Sequence, residues 1–255
     1  MNPIITLISD WRLRDSYVAM FKGQILSLVP NATIIDISHH IELYNNKQTA
    51  FLMRQSYDSF PQGTIHLLLT NASVNSDFSP VMLEYKGHYF VGEDNGVFCQ
   101  MFGQEMDLTG VQYKNAAKVD SIRQILKLTE AIVNKKVEKV TQPYTQFQKM
   151  YLPIPFNMMD TKTIEGEIVY IDANMNAITN IPNEMFKETV KGSFTAEIQT
   201  EKTDWKEVGY HDHYQRDDRI CLMPNSLGCL EITYYQGKVA MLANLKVGDK
   251  VVIHY

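Results

Sequence analysis

The sequence is poor in the features that mark secreted, membrane-spanning and nucleic-acid-binding proteins. Its three cysteines form neither a CxxC pair nor an even set, so they provide no disulfide framework and favour a reduced, cytoplasmic compartment. No apolar run approaches the roughly 20 residues that a membrane-spanning helix needs. The net charge is −5 and no lysine or arginine run occurs, which argues against a nucleic-acid partner because phosphate binding needs a basic surface. A P-loop, a GxGxxG fingerprint and a G-x-S-x-G elbow are also missing.

The first part of the sequence, residues 1–145, alternates short apolar runs with helical stretches. This alternation predicts an α/β domain with a central, mostly parallel sheet. The chain has 255 residues, of which 45% are hydrophobic, enough for two modest domains with real cores. The predicted strands are Ile4 to Ile8, Thr33 to Ile37, Thr64 to Leu69 and a hairpin over 81–91, and the predicted helices are Asp15 to Leu28, Lys47 to Tyr57 and Ser121 to Asn134.

The second part of the sequence has a different composition and a different pattern of apolar residues. Residues 146–162 carry prolines among polar and aromatic residues, which predicts a linker. Residues 163–255 contain short strand-like segments separated by glycine turns, which predicts a smaller all-β barrel domain. The predicted strands are Gly166 to Ile171, Ser193 to Ile198, Ile220 to Pro224, Leu230 to Tyr235, Val239 to Leu242 and Lys250 to His254.

Polar residues follow several of the predicted strands, where ligand sites of open α/β sheets gather. Asp10 and Asp15 are suited to bind sugar hydroxyls or an ammonium group, and the alternative is that Asp15 or Ser9 caps the next helix. The small-residue loop 70–76 either wraps a ligand or is an ordinary loop, and 92–96 reads as a tight turn. The polar segment 172–176 either recognises an amino acid or base edge or makes Asx turns.

The histidines give no firm metal signal. His39 and His40 are consecutive and would face opposite ways on a strand. His66 lies inside a predicted strand and is expected to be a core residue. His211 and His213 form a His-x-His pair, but spacing fixes no third ligand, so no metal site is predicted.

Taken together, these segments resemble the S-adenosylmethionine hydroxide adenosyltransferase family, which is related to the fluorinases and chlorinases. The opening TLISDWRLRDSYVAMFKG is similar to TLxTDFGxxDxYVGxMKG, and VPNATIIDISHHI to xPxAxIVDITHxI. YFVGEDNGVF matches a further stretch, with Glu93 where proline is usual. YIDANMNAITNI resembles YIDxFGNxxTNI, and the segment from PNSLGCLEITYY onward matches the family's closing segment. The order, spacing and full-length coverage carry the resemblance.

The resemblance implies a fold, an assembly and a set of ligand-binding positions. The family has an α/β domain followed by a smaller β-barrel, and it forms a homotrimer with substrate between one subunit's N-terminal domain and its neighbour's C-terminal domain. In the N-terminal domain, Asp10 matches the carboxylate that holds the ribose hydroxyls, and Asp15 a polar pocket position. Tyr44 falls where the halide-using branch has an aromatic residue against the ligand. Asn71, in the loop 70–76, is also expected to contact the substrate.

In the C-terminal domain, four residues match the family's ligand-binding positions. Asp172 and Asn176 correspond to residues that meet the methionine part and the adenine. Asn225 and Ser226 correspond to the family's Asn-Ser pair.

The departures from the family pattern fall where the reaction would take place. The hydrolases use an Asp-Arg-His triad, and the first two residues come from a loop of the form DPGVGSxR. Here the loop reads NASVNSDF, so Asn71 replaces the acid and Phe78 replaces the arginine. No segment matches the one that supplies the histidine, and Asn174 replaces a phenylalanine. Asp77 either substitutes as a base or points into solvent, which leaves the catalytic residues unassigned.

Three functions are compatible with this pattern. The first is hydrolysis of S-adenosylmethionine to adenosine and methionine by attack of water at ribose C5′, with no cofactor. The second is a catalytically degenerate protein that binds adenosine or S-adenosylmethionine. The third, a structural protein that keeps only the trimer, is disfavoured because Asp10, Asp172 and Asn176 are present.

Overall fold

The computed structural model describes residues 2–72, 78–103, 107–114, 120–199 and 205–255. These residues form two compact units, which divide between Leu152 and Pro153. None of the helices in the described ranges combines the length and hydrophobicity that a membrane crossing requires.

The first unit is an α/β domain built on one sheet, as the sequence predicts. Its described strands are β1 (Ile4–Ser9), β2 (Thr33–Ser38), β3 (Ile65–Leu69), β4 (Pro80–Tyr85), β5 (His88–Glu93), β6 (Gly110–Tyr113) and β7 (Thr141–Tyr144). Its described helices are α1 (Tyr17–Leu28), α2 (Asn46–Ser56), α3 (Val97–Phe102), α4 (Ser121–Val133) and α5 (Val137–Val140), with a 3₁₀ turn at Tyr57–Ser59. The strand order is β2-β1-β3-β5-β4-β6-β7. The first four strands in this order are parallel, and the last three pair antiparallel.

Helices cover both faces of this sheet. Strand β3 is buried along its whole length, as expected of a strand between two helical layers. Successive residues face opposite layers: Leu68 and Phe90 pack with residues of α2 and α3, whereas Leu67 and Val91 pack with residues of α1 and α4. Because β1, β2, β3 and β5 are parallel, their carboxyl ends lie along one edge of the sheet.

The predicted strands and helices of the first unit are confirmed, with small differences at their ends. The segment 81–91 forms the β4–β5 hairpin. Helix α3 was not predicted from the sequence. All six of its residues are buried, so it has no polar face that would give a helical periodicity.

The second unit is a β-barrel, which confirms the predicted fold class. Its described strands are β8 (Phe156–Met158), β9 (Thr163–Ile171), β10 (Ala177–Pro182), β11 (Thr195–Gln199), β12 (Trp205–Tyr210), β13 (Cys221–Pro224), β14 (Cys229–Thr233) and β15 (Lys250–His254), and its described helices are α6 (Asn183–Thr189) and α7 (Val239–Leu242). The order is β10-β14-β13-β12-β11-β15-β9, and the β10–β9 pairing closes seven strands into a ring. Strand β8 adds to β9 and lies within residues 146–162, the segment expected as a linker.

One predicted strand of the barrel domain is wrong. Residues Val239–Leu242 form the single-turn helix α7, with Val239 and Ala240 buried. Met241 and Leu242 are 65% and 64% exposed, because the turn directs them away from the core. Four consecutive apolar residues do not distinguish a short strand from a helical turn.

Candidate functional site

The carboxyl ends of the parallel strands in the first unit bring together residues that are distant in sequence. Asp10 directly follows β1, and Thr70 and Asn71 follow β3, with Ser9 paired opposite Leu69. Asn95 follows β5. In open α/β sheets this edge is where ligands bind, so the position predicted for Asp10 from the sequence is the position found.

Asp10 is buried, with 5% of its surface exposed, and its carboxylate is held by two backbone amides. Oδ2 accepts hydrogen bonds from the N–H of Tyr44 at 3.3 Å and the N–H of Asn71 at 3.1 Å. Both donors have left-handed backbone conformations, with φ of 62° and 58°, which few non-glycine residues adopt. Among the described residues no hydrogen bond ends on Oδ1. The structure therefore joins Asp10, Tyr44 and Asn71, three residues singled out from the sequence.

A second set of hydrogen bonds fixes the loop end that carries Asn71. The Thr70 hydroxyl makes a short contact with the Thr49 hydroxyl of α2. Asn95 donates from Nδ2 to the carbonyl of Thr70 at 3.0 Å, and Asn46 donates to the carbonyl of Asn95 at 2.8 Å. Sequence reasoning treated Asn95 only as part of a turn. Its position two residues after the buried strand β5 is the feature of the sequence that could have marked it as a site residue.

The end of β2 adds a buried histidine to the same edge. His39 is buried and His40 is exposed, and both follow the last residue of β2 rather than lying on the strand. His39 Nδ1 lies 2.7 Å from the hydroxyl of Ser9, and its Nε2 lies 3.1 Å from Asp36 Oδ1. Burial alone would raise the pKa of Asp36, but contacts with Lys22 and His39 outweigh it and hold the pKa below its usual value.

The remaining first-unit residues named from the sequence are placed as follows. Asp15 is exposed, and α1 begins after Ser16, whose side chain makes no capping hydrogen bond. Phe78 is half-buried. Asp77, the candidate substitute base, lies outside the described residues.

His66 is a core histidine, as expected. It is fully buried in β3, with Nδ1 at 2.7 Å from the Thr6 hydroxyl and Nε2 at 3.1 Å from His88 Nδ1. Burial, assisted by the proximity of His88, lowers the pKa of His66 to about 3. This histidine is therefore neutral near pH 7.

The candidate residues of the second unit form a compact polar loop after β9. Asp172 Oδ1 accepts hydrogen bonds from the N–H groups of Asn174 at 2.9 Å and Asn176 at 2.8 Å. Asn176 in turn accepts at Oδ1 from the Thr233 hydroxyl of β14 at 2.9 Å. The loop contains the Asx turn that sequence reasoning offered as an alternative, and this turn fixes the Asp172 side chain.

The two ends of strand β14 contact this loop and the Asn-Ser pair. Thr233 bonds Asn176 at one end, and the N–H of Cys229 bonds Asn225 at the other. Asn225 Oδ1 accepts from the N–H groups of Leu227 at 2.9 Å and Cys229 at 3.1 Å, and Ser226 is exposed. Burial raises the pKa of Glu231, the neighbouring Asn225 amide opposes that rise, and the negative charge of Asp172 adds to it. Asp172 and Asn225 thus act on one side chain of β14. Glu231 was not singled out from the sequence.

Comparison with protein families matches both domains. A family described as the SAM hydroxide adenosyltransferase N-terminal domain matches residues 5–139, and one described as the corresponding C-terminal domain matches residues 166–252.

Individual relatives agree with this match, and a solved structure has a similar fold. The chain is 27% identical over 262 residues to the (R)-S-adenosyl-L-methionine hydrolase of Methanocaldococcus jannaschii, covering 99% of this chain and 96% of that protein. It is 32% identical over 85 residues to a fluorinase of an Actinoplanes species, covering 33% of this chain and 28% of that protein. Its fold is similar to that of an uncharacterised conserved protein from Thermotoga maritima, with a TM-score of 0.84, 22% identity, and coverage of 99% of this chain and 100% of the other.

Proposed function

The chain belongs to the SAM hydroxide adenosyltransferase family, and on that premise we propose that it binds S-adenosylmethionine and transfers the adenosyl group to water. The oxygen of water attacks ribose C5′, the C5′–S bond breaks, and methionine leaves with the electron pair of that bond. The water proton passes to solvent or to a nearby base. The products are adenosine and methionine.

The position of Asp10 is the observation that carries this proposal. A buried carboxylate at the carboxyl edge of the sheet, with Oδ2 engaged by two amides, has a second oxygen for a ribose hydroxyl. Hydrogen bonds to a charged group contribute about 1.5–3 kcal/mol each. Asp10 is also the residue that the family resemblance assigns to the ribose.

The reaction chemistry is compatible with a site that lacks a strong base. As the C5′–S bond breaks, the positive charge of the sulfonium passes to the attacking oxygen and leaves with the proton, so an environment poor in water favours a transition state in which this charge is spread over both atoms. Holding water in line with C5′ lowers the barrier further. Methionine leaves as a neutral thioether, and we therefore propose that no cofactor takes part.

A second candidate is a protein that binds the same ligand without turning it over. Asn71 and Phe78 favour it, since they replace the acid and the arginine of the family's triad. A neutral amide cannot accept a proton at pH 7, and a positioned general base typically contributes about 10²–10⁴ in rate.

One assay separates the two candidates. Purified protein is incubated with S-adenosylmethionine, and adenosine is measured by chromatography beside the Asp10→Asn variant. Asparagine retains an oxygen for the two amides but lacks the charge. Adenosine formed by the wild type and not by the variant supports hydrolysis. Adenosine at the level of a protein-free control, together with a ligand-induced rise in melting temperature, supports the binding protein.

We further propose a cytoplasmic homotrimer in which each site takes Asp10 from one subunit and Asp172 from its neighbour. The free cysteines fit a reducing compartment. The assembly is tested by unfolding and refolding Asp10→Asn and Asp172→Asn variants together. In a shared site of this kind, about one quarter of sites in an equal mixture regain both carboxylates. A mixture no more active than either variant alone contradicts the shared site.

A further inference from the structure

Three potential metal-binding side chains converge on the barrel domain, and none of them belongs to the polar loop after β9. They lie on or beside the connection between β12 and β13. Each offers one ligand atom, and the ligand atoms of His211, Asp217 and Cys221 all lie within 4.8 Å of one another. Asp217 Oδ2 is 2.8 Å from His211 Nε2 and 3.7 Å from Cys221 Sγ. The nitrogen and the sulfur thus meet at one carboxylate oxygen.

We propose that His211, Asp217 and Cys221 bind Zn²⁺. The metal would link the β12–β13 connection, which carries His211 and Asp217, to Cys221 in strand β13. Imidazole nitrogen, thiolate sulfur and carboxylate oxygen are the ligand types of protein zinc sites. Ligand atoms around a tetrahedral zinc lie about 3–4 Å apart. The observed separations need only small side-chain shifts to reach this geometry. His213 lines the same pocket, where it or a water completes the coordination.

The buried thiol distinguishes this cluster from an ordinary surface ion pair. Arg219 contacts Asp217 with Nη2 at 2.9 Å, but 69% of its side chain is exposed, so the guanidinium can move into water when a cation binds. Cys221 is 3% exposed. An ion pair between Arg219 and Asp217 does not require a thiol at that position.

The Cys221 thiol is buried beside a carboxylate, with Sγ 3.7 Å from Asp217 Oδ2. A metal cation bound between them would stabilise the thiolate. One thiol proton is released to solvent when the zinc–sulfur bond forms. Gly209 contributes space: a Cβ at that position would lie 3.1 Å from Cys221 Sγ.

Cobalt substitution tests the site directly. The full-length protein is stripped with a chelator and titrated with Co²⁺, which gives a thiolate-to-metal charge-transfer band when sulfur binds. We expect one equivalent of Co²⁺ to develop this band and Zn²⁺ to abolish it. The band should be lost in Cys221→Ser and kept in Cys229→Ser, a matched control for a cysteine in the same domain. Zn²⁺ should raise the melting temperature of the wild type but not of Cys221→Ser.

A second variant covers the case in which Cys221→Ser does not fold. His211→Gln removes the nitrogen ligand and leaves the buried thiol in place, so it should weaken Co²⁺ binding at least tenfold. The proposal is overturned if wild-type protein develops no thiolate band. It is equally overturned if the band persists in Cys221→Ser or if His211→Gln binds Co²⁺ as tightly as wild type.

Discussion

Asp10 in the first domain and Asp172 in the second are both carboxylates that follow a strand, but they are held in different ways. Asp10 accepts amides of Tyr44 and Asn71, which lie 34 and 61 residues away in sequence. Asp172 accepts amides of Asn174 and Asn176, two and four residues away. The first carboxylate is therefore positioned by the tertiary fold, and the second by its own loop.

The two domains also differ in how far they depart from the family pattern. The altered positions Asn71 and Phe78 belong to the first domain, in the loop after β3. The second domain keeps Asp172, Asn176 and the Asn-Ser pair, although Asn174 replaces a phenylalanine. The residues that the resemblance assigns to ligand binding are present in both domains, and those that it assigns to water activation are replaced in the first.

Restoring the water-activating pair should give the largest effect. The double variant Asn71→Asp/Phe78→Arg recreates the acid and the cation of the family loop, and aspartate tolerates the left-handed conformation at position 71. We expect the rate of adenosine release to rise by about 10²-fold, within the range of a positioned general base. Single-turnover assays with S-adenosylmethionine measure it. Phe78→Arg alone serves as the control, and an equal rise in that variant would assign the gain to charge alone.

Removing the charge of each carboxylate in turn should show which part of the ligand each one binds. Asp10→Asn should weaken adenosine binding about 10- to 100-fold, the equivalent of one charge-assisted hydrogen bond. Asp172→Asn should leave adenosine binding unchanged and weaken S-adenosylmethionine binding, because adenosine lacks the methionine part that this position is expected to meet. Isothermal titration calorimetry with both ligands measures this. Equal losses of adenosine affinity in the two variants would contradict the division.

Truncation of the carboxylates should show which one the fold depends on. Asp10→Ala leaves two partly buried amides without an acceptor and should lower the free energy of unfolding by about 2–3 kcal/mol. Asp172→Ala should cost about 1 kcal/mol or less, because water reaches the amides of its half-exposed loop. Urea unfolding of both variants gives the values. A larger loss for Asp172→Ala would reverse the contrast between tertiary and local support.

Acid should destabilise the first domain before the second. The pKa of His66 is about 3 in the folded protein against 6.5 for an ordinary histidine, so the unfolded chain binds a proton that the folded chain does not. Stability then falls as the pH drops below 6.5, by about 2 kcal/mol between pH 7 and pH 5. Hydrogen exchange of β3 and β15 peptides reports the two domains separately. His66→Gln should remove most of this pH dependence. If the stability of the variant falls with pH as steeply as that of the wild type, other groups cause the effect.

Much of the fold could be predicted because the relevant signals are local. The apolar runs of β1 and β3 and the periodic faces of α1 and α4 fix the α/β layer, and glycine turns separate the strands of the barrel. Helix α3 was missed because it is buried on all sides and has no polar face, and the turn at Val239–Leu242 was predicted as a strand because four consecutive apolar residues fit either structure. Position relative to the strands drew attention to Asp10 and Asp172, and the family resemblance then assigned both residues to the ligand.

The sequence alone determined the two-domain architecture, the family pattern, and the carboxylates and amides that stand at strand ends, because periodicity and strand-end position are local properties of the chain. Only the tertiary structure decided that Asp10 meets Tyr44 and Asn71, and that His211, Asp217 and Cys221 converge. Such contacts depend on strand order and on the path of long connections. No spacing along the chain encodes them, since they form only when the sheet and the barrel close.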